Sequence, residues 1–86
     1  MSNRITQRDL EGLADTLNKV TDSPIAPYSN GKANVGNYHI SYAYGGACLH
    51  RMANEHGGVT CPIQNHHSPK RELYNAMHAY LSGLLE

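Results

Sequence analysis

Six residues of types that commonly bind metal ions lie close together in the second half of the sequence. Both cysteines and four of the six histidines fall within a stretch of twenty residues, and zinc prefers thiolate and imidazole ligands. The sequence contains no CxxC or HxxxH pair, and the spacing matches no standard structural-zinc pattern, so we expect no bound metal and no cofactor. The alternative is that both cysteines and two of the histidines converge when the chain folds. The six residues are Cys48, His50, His56, Cys61, His66 and His67.

A pair of basic residues, Lys70 and Arg71, begins the predicted C-terminal helix next to Ser68. Cations are locally unfavourable at the positive end of a helix dipole, so their position is consistent with anion binding. The other interpretation is a pair of solvated side chains with a small energetic cost. The stretch "GGACLHR" (45–51) lacks the Lys-Ser/Thr pair and the spacing of a phosphate-binding loop, so no nucleotide site is predicted.

The stretch "NYHISYAYGGACLHRM" (37–52) predicts a β-hairpin. Large apolar side chains alternate with small or polar ones over 38–44, which is the period of two typical of a strand. Gly45 and Gly46 tolerate the positive φ angles of a two-residue turn. The resulting register pairs Tyr44 with Ala47, Ala43 with Cys48, Tyr42 with Leu49, Ser41 with His50, Ile40 with Arg51, and His39 with Met52.

The two faces of this hairpin differ in chemistry. One face is aromatic and aliphatic, and we predict that it packs against helices with its tyrosine hydroxyls at the rim. The other face carries His39, Ser41 and His50 and is predicted to be open to solvent. A serine opposite a histidine could act as a nucleophile and its base, but an open sheet face supplies neither a residue that orients the histidine nor oxyanion donors. We therefore predict no catalytic residues and a protein that is not an enzyme. The predicted core residues of the hairpin are Tyr38, Ile40, Tyr42 and Leu49.

Two amphipathic helices are predicted on either side of the strands. The first covers 5–20, with Thr6 and Asp9 at capping-box positions. The second begins with Ser68 as N-cap and Pro69 as its first residue. The apolar stripes are Leu10, Leu13, Ala14, Leu17 and Val20 in the first helix and Leu73, Met77, Tyr80, Leu81 and Leu84 in the second.

The segments between these elements complete the predicted fold. Residues 24–37 form a loop with a turn at Asn30–Gly31, and 55–58 form a second turn. A short third strand over 59–63 should lie at a sheet edge, because Pro62 cannot donate to a ladder. We predict an α+β fold of order α-β-β-(β)-α, in which a small antiparallel sheet packs both helices on one face, with 1–86 as a single domain.

The charge balance limits the class of partner. Seven lysines and arginines balance seven aspartates and glutamates, whereas proteins that mainly bind nucleic acid backbones carry an excess of positive charge. Nucleic acid binding is therefore not favoured, while the low net charge favours self-association into a homo-oligomer. No apolar run has the length of a signal peptide or a membrane span, so we expect a cytoplasmic protein without membrane contact and with reduced cysteines.

The predicted element order resembles that of the double-stranded RNA-binding domain. The second helix of that family begins with a serine and a basic cluster that contacts phosphates across the RNA groove. Ser68, Lys70 and Arg71 match this pattern. The sequence departs from it at Tyr74, where another lysine is expected, and in its tight glycine turn, which replaces a longer loop. This resemblance implies a nucleic-acid-binding module as an alternative function.

A second resemblance covers most of the chain. The stretches "NVGNYHISYAYGGACLHRMANEHGGV" and "KRELYNAMHAYLSGL" resemble a group of small proteins encoded by tailed bacteriophages and prophages. Their shared signature combines a Tyr-His strand, an Ala-Tyr-Gly-Gly turn, a Leu-x-Arg-Met-x-Asn strand and a Gly-Gly turn. The resemblance implies a phage context and no particular reaction. The signature residues here are Asn37, Tyr38, His39, Ala43, Tyr44, Gly45, Gly46, Leu49, Arg51, Met52, Asn54, Gly57 and Gly58.

These observations predict a non-enzymatic accessory protein of phage or prophage origin that binds and modulates a host protein or protein complex. Inhibition of a host defence component, as by anti-CRISPR proteins, is one form of that activity. The alternatives are a nucleic-acid-binding module that uses the start of the second helix, or a small zinc-binding protein. The predicted binding residues are Arg51, Asn54, Tyr44, His39 and His50, together with Lys70 and Arg71.

Overall fold

A computed structural model describes residues 4–64 and 66–86 of the chain. Two helices, α1 (Gln7–Val20) and α2 (Lys70–Leu85), flank the strands, and this order confirms the predicted α+β fold. In the described part of the chain, neither helix is long and apolar enough to cross a membrane. The strands are β1 (Tyr28–Ser29), β2 (Lys32–Ala33), β3 (Tyr38–Ala43), β4 (Gly46–Met52) and β5 (Val59–Thr60).

The strands form two antiparallel sheets, one of order β3-β4-β5 and one of order β1-β2. The short strand β5 lies at the sheet edge, as predicted, although it ends at Thr60. The β1-β2 hairpin occupies a segment that we predicted to be a loop. Its turn is at Asn30 and Gly31, whose φ angles of 53° and 78° confirm the predicted turn. Strands of two residues are too short to show a periodicity, so only their turn was predictable.

Helix α1 begins as its sequence predicts. The Thr6 side chain accepts a hydrogen bond from the Asp9 N–H at 3.2 Å, and the Asp9 carboxylate accepts one from the Thr6 N–H at 2.9 Å. This reciprocal capping box satisfies two N–H groups that would otherwise lack a partner. The helix then buries Leu10, Ala14 and Leu17 against the sheet and α2.

Helix α2 begins one residue later than predicted, and Ser68 is not its N-cap. Pro69 occupies that position, and no side chain caps the helix. Ser68 instead pairs with Ala47 of β4 through two backbone hydrogen bonds of 2.8 and 2.9 Å. Its hydroxyl accepts a hydrogen bond from the side-chain amide of Gln64. The start of α2 is therefore attached directly to the sheet.

The β3-β4 hairpin turns one residue earlier than predicted. Tyr44 and Gly45 form the turn, with φ angles of 54° and 74°, and positive φ at both positions is the type I′ geometry. Gly46 belongs to β4 instead, where the Ser68 carbonyl approaches too closely for a Cβ atom. The observed pairs are Ala43 with Gly46, Tyr42 with Ala47, Ser41 with Cys48, Ile40 with Leu49, His39 with His50, and Tyr38 with Arg51.

The core lies between the two helices and one face of the β3-β4-β5 sheet. Each partner in the observed register lies two positions from the predicted one, so the side chains of β3 and β4 keep their predicted faces. Tyr44, predicted to pair with Ala47 on the aromatic face, lies in the turn instead. The tyrosine hydroxyls reach the rim, where Tyr38 hydrogen-bonds Tyr80 at 3.0 Å and Tyr42 donates to Glu11 at 3.0 Å. The buried core residues are Leu10, Ala14, Leu17, Tyr38, Ala47, Leu49, Leu73 and Met77.

Candidate functional site

The face of the sheet that points away from the helices is partly covered, whereas we predicted it to be open to solvent; His39, Ser41 and His50 are each partly buried. Gln64 and His67, in the segment that follows β5, contact this face. Cys48 donates a hydrogen bond from Sγ to the Gln64 carbonyl at 3.3 Å, and the Ser41 hydroxyl lies 3.1 Å from Nε2 of His67. Cys48 is consequently only 1% exposed. The segment after β5, here called the covering segment, therefore lies over part of this face.

Under this segment the strands assemble a cluster of Cys48, His50 and Cys61, here called the Cys–His cluster. Cys48 and His50 are two residues apart in β4 and share a face. Because Arg51 pairs with Thr60, the same register continued by one residue brings Cys61 opposite His50. The two Sγ atoms and a ring nitrogen of His50 all lie within 4.8 Å of one another.

Two further histidines pack around this cluster. The His39 and His67 rings contact His50 edge-on, at centroid distances of 5.5 and 6.3 Å. His39 pairs with His50 across the hairpin, and its Nδ1 lies 3.1 Å from the buried Asn37 amide oxygen. In contrast, His56 and His66 are exposed. The structure therefore brings together three of the six residues named as metal-ligand candidates.

Burial shifts the titration of the cluster. Desolvation, followed by the charge of the neighbouring Cys61, raises the pKa of Cys48 to about 11. Desolvation also lowers the pKa of His50, and the nearby His67 lowers it further. Without a cation, Cys48 is therefore a protonated thiol at neutral pH, and His50 is a neutral imidazole. A thiol of this kind is a poor nucleophile, which argues against cysteine catalysis.

The serine and histidine considered for catalysis are not partners. The observed register places Ser41 opposite Cys48, so its predicted pairing with His50 is wrong, and Ser41 instead hydrogen-bonds His67. In the described residues no carboxylate is hydrogen-bonded to His67, so the imidazole lacks the third group that orients a general base.

The hairpin tip is the second candidate site. Tyr44 is 98% exposed although it occupies a positive-φ position of the turn. Its ring contacts His67 at a centroid distance of 5.9 Å. Beside it lies a shallow cleft of about 280 Å³, lined by residues of the tip and by Lys70 at the start of α2. Arg71 follows and is exposed. The cleft is lined by Gln7, Tyr42, Ala43, Gly45, Gly46 and Lys70.

Arg51 and Asn54, two further predicted binding residues, have partners within the fold. The Arg51 guanidinium lies 4.7 Å above the centre of the Tyr38 ring, and its Nε donates to the Gly36 carbonyl at 3.1 Å. The Asn54 side-chain oxygen accepts hydrogen bonds from the N–H groups of His56 and Gly58. Arg51 therefore holds the connection between β2 and β3, and Asn54 stabilises the connection between β4 and β5.

Replacing Arg51 with alanine is expected to lower the free energy of unfolding by about 1.5 kcal/mol, because a charged hydrogen bond and a cation–π contact are lost. Arg51→Lys should recover less than half of this loss, since an ammonium group cannot reproduce the planar fork. Urea denaturation followed by circular dichroism measures both variants. Unchanged stability with loss of partner binding would instead identify Arg51 as a contact residue.

Comparisons with protein-family models, with curated proteins and with solved structures find no match for this chain. The proposed function therefore rests on the residues of the site and their geometry.

Sequence reasoning missed two features of the site. Cys61 was considered as a ligand, but its place opposite His50 follows only from the β4-β5 register, which the short strand β5 did not reveal. His67 links Tyr44 and His50 through ring contacts, and nothing in its sequence position indicates that role. The alternation of Cys48 and His50 along β4 was the one local signal.

Proposed function

We propose that this chain is a non-enzymatic accessory protein of phage or prophage origin, which binds a host protein or protein complex in the bacterial cytoplasm. The hairpin tip with Tyr44 is the contact surface. The resemblance of the sequence to small phage proteins supports the origin. The single observation that supports the contact surface is the exposure of an aromatic side chain at a strained backbone position.

The energetics of Tyr44 point to a role outside the fold. A positive φ of 54° costs a residue other than glycine roughly 1–2 kcal/mol, and a tyrosine ring that is 98% exposed recovers almost none of this through packing. Asparagine or glycine would form the same turn more favourably. Strained residues of this kind concentrate at binding sites, and tyrosine is enriched in protein interfaces.

The surroundings of Tyr44 indicate the chemistry of the partner. Lys70 lines the adjacent cleft, and Arg71 is exposed one residue further along α2. An aromatic anchor flanked by cations fits a protein surface that has an apolar pocket bordered by acidic side chains. The overall net charge of zero favours such a protein over a nucleic acid backbone.

Replacing Tyr44 with asparagine separates binding from folding. Tyr44→Asn should leave the melting temperature unchanged or raise it, because Asn-Gly is a favoured type I′ pair. The affinity for the partner should fall at least about tenfold, because an aromatic anchor is lost. Wild-type and variant proteins are used as bait in lysate of the bacterial host, and the retained protein is purified to measure its Kd.

The matched control is Tyr28→Asn, which removes another exposed tyrosine from the β1-β2 hairpin. The proposal predicts a protein that is retained by wild type and by Tyr28→Asn but not by Tyr44→Asn. Retention of the same proteins by all three baits, or of none, would contradict it.

We further propose that binding inhibits a host defence component. A phage that carries the Tyr44→Asn allele should then plate less efficiently on a defended host and normally on a host without the defence system. Equal plating of the wild-type and variant phages on the defended host would refute this role. It would not affect the binding proposal, which the bait experiment tests separately.

Nucleic acid binding is the second candidate function, favoured by the placement of Lys70 beside an exposed aromatic ring. Backbone contacts release counterions, so this binding should weaken steeply with salt. A low-salt gel shift on DNA and double-stranded RNA, with Lys70→Ala/Arg71→Ala as the control, decides it. Absence of a shift at micromolar protein would exclude this function.

A further inference from the structure

The Cys–His cluster has the composition of a metal site, and this feature does not depend on the proposed function. It combines two thiols and an imidazole, which are the ligands that Zn²⁺ prefers. Exposed acidic groups, which often lie together without a metal, do not contribute to it. We propose that Cys48, His50 and Cys61 bind one Zn²⁺ ion, with water in the fourth position.

The distances fit tetrahedral coordination after a small closure. Zinc–sulfur and zinc–nitrogen bonds of about 2.3 and 2.0 Å place neighbouring ligand atoms about 3.5–3.8 Å apart. The three ligand atoms of the cluster already lie within 4.8 Å of one another. Side-chain rotations that move the ligand atoms by about 1 Å therefore suffice. Cys61 has the most freedom to adjust, because it is only half-buried and follows the end of β5.

The strand pairing places the three ligand residues close together in the metal-free protein. Cys48 and His50 lie on one rigid strand, and the β4-β5 pairing fixes where Cys61 enters. Binding forms two zinc–sulfur bonds and one zinc–nitrogen bond, and both thiol protons are released to solvent. The ion would join β4 to the covering segment after β5.

Two neighbouring histidines restrict the side chain of His50. His39 packs against the His50 ring and is itself held by Asn37, while His67 packs against His50 and is held by Ser41. These ring contacts restrict the rotation of the His50 imidazole. In the metal-free protein the Cys48 thiol donates its proton to the Gln64 carbonyl, and on zinc binding the zinc–sulfur bond would replace this hydrogen bond.

The test uses the full chain, purified under reducing conditions without chelator, then stripped and titrated with Zn²⁺ or Co²⁺. We expect one ion per chain, and we expect Co²⁺ to give thiolate charge-transfer absorption together with strong visible bands of tetrahedral geometry. Zinc at about one hundred times its Kd should raise the Tm by about 10 °C, and chelator should reverse the increase.

Ligand variants identify the residues. Cys61→Ser and His50→Ala should each weaken zinc binding more than about 100-fold, beyond the loss typical of an outer-shell residue. The control His78→Ala removes an exposed histidine of α2 and should bind zinc like the wild type.

Several results would overturn the inference. These are a substoichiometric zinc content after titration, a Co²⁺ spectrum without thiolate bands, and a Cys61→Ser protein that binds as tightly as wild type. The Co²⁺ spectrum of the wild-type protein decides the matter even if a variant fails to fold. Failure of the Tyr44 experiments would leave this result unaffected, because Tyr44 is not one of the ligands.

Discussion

Replacing Asn18 with alanine is expected to lower the free energy of unfolding by about 3 kcal/mol, because two buried backbone groups lose their partners. Asn18 lies in α1 and is fully buried. Its amide donates to the Tyr38 carbonyl at 3.0 Å and accepts from the Tyr38 N–H at 2.7 Å. This paired interaction joins α1 to the first residue of β3, and urea denaturation followed by circular dichroism measures its loss.

Asn18→Asp is the informative second variant, because a carboxylate still accepts from the Tyr38 N–H but cannot donate to the carbonyl. It should therefore be destabilised as well. Asn75→Ala removes an exposed asparagine from α2 and should change stability by less than about 0.5 kcal/mol. If Asn18→Ala unfolds like Asn75→Ala, the link between α1 and β3 contributes little and the helix is held by its apolar face alone.

Local signals were sufficient for most of the fold. The capping box at Thr6 and the apolar stripe after it determine α1 without any knowledge of its partners. The alternation along 38–44 likewise assigned each side chain of β3 to the correct face. Such features depend on residues that are close in sequence, and for this reason they can be predicted from it.

Apart from the short β1-β2 hairpin, the errors concern contacts between distant segments. The turn was predicted at Gly45–Gly46 but lies at Tyr44–Gly45, and Gly46 is held in β4 by Ser68, more than twenty residues further along the chain. Ser68 has the chemistry of an N-cap, but its backbone pairs with Ala47 instead. The prediction of an open sheet face was only partly correct, because no local pattern showed that the segment after β5 folds back over part of it.

Asn18 is another residue whose contacts could not be predicted because its partner is distant in sequence, although the helix that contains it was predicted correctly. It lies four residues after Ala14 and eight after Leu10, so helical spacing places it on the buried face. The apolar stripe was nevertheless assigned without it, because a buried asparagine becomes intelligible only when its backbone partner is known. That partner, Tyr38, is twenty residues away.

The hairpin tip and the Cys–His cluster are connected through a single side chain. His67 contacts the Tyr44 ring on one side and the His50 ring on the other. A zinc ion on His50 would restrict the His50 ring and, through it, the packing of His67 beneath Tyr44. The two proposals are independent in their tests, but this contact predicts that zinc-loaded protein presents Tyr44 in a narrower range of orientations.

Replacing Gly46 with alanine is expected to lower the free energy of unfolding by about 2–3 kcal/mol, more than the same change at Gly45. A Cβ atom at Gly46 would lie 2.6 Å from the Ser68 carbonyl oxygen and 3.0 Å from its carbon, so backbone must move. The two hydrogen bonds between Ala47 and Ser68 would be strained or lost. At Gly45 a Cβ meets open space, and the cost is only the positive φ of 74°, about 1 kcal/mol.

The two glycine variants also differ in their expected effect on binding. Gly46 lies at the junction between the hairpin and α2, so Gly46→Ala should shift Tyr44 relative to Lys70 and weaken partner binding by the folded protein. Gly45→Ala should reduce binding only in proportion to its unfolded fraction. Melting temperature and Kd, measured for both variants at a temperature where each is folded, distinguish these effects. Equal stability of the two variants would show that the close approach of Ser68 does not constrain the hairpin. The turn geometry alone would then determine the position of the tip.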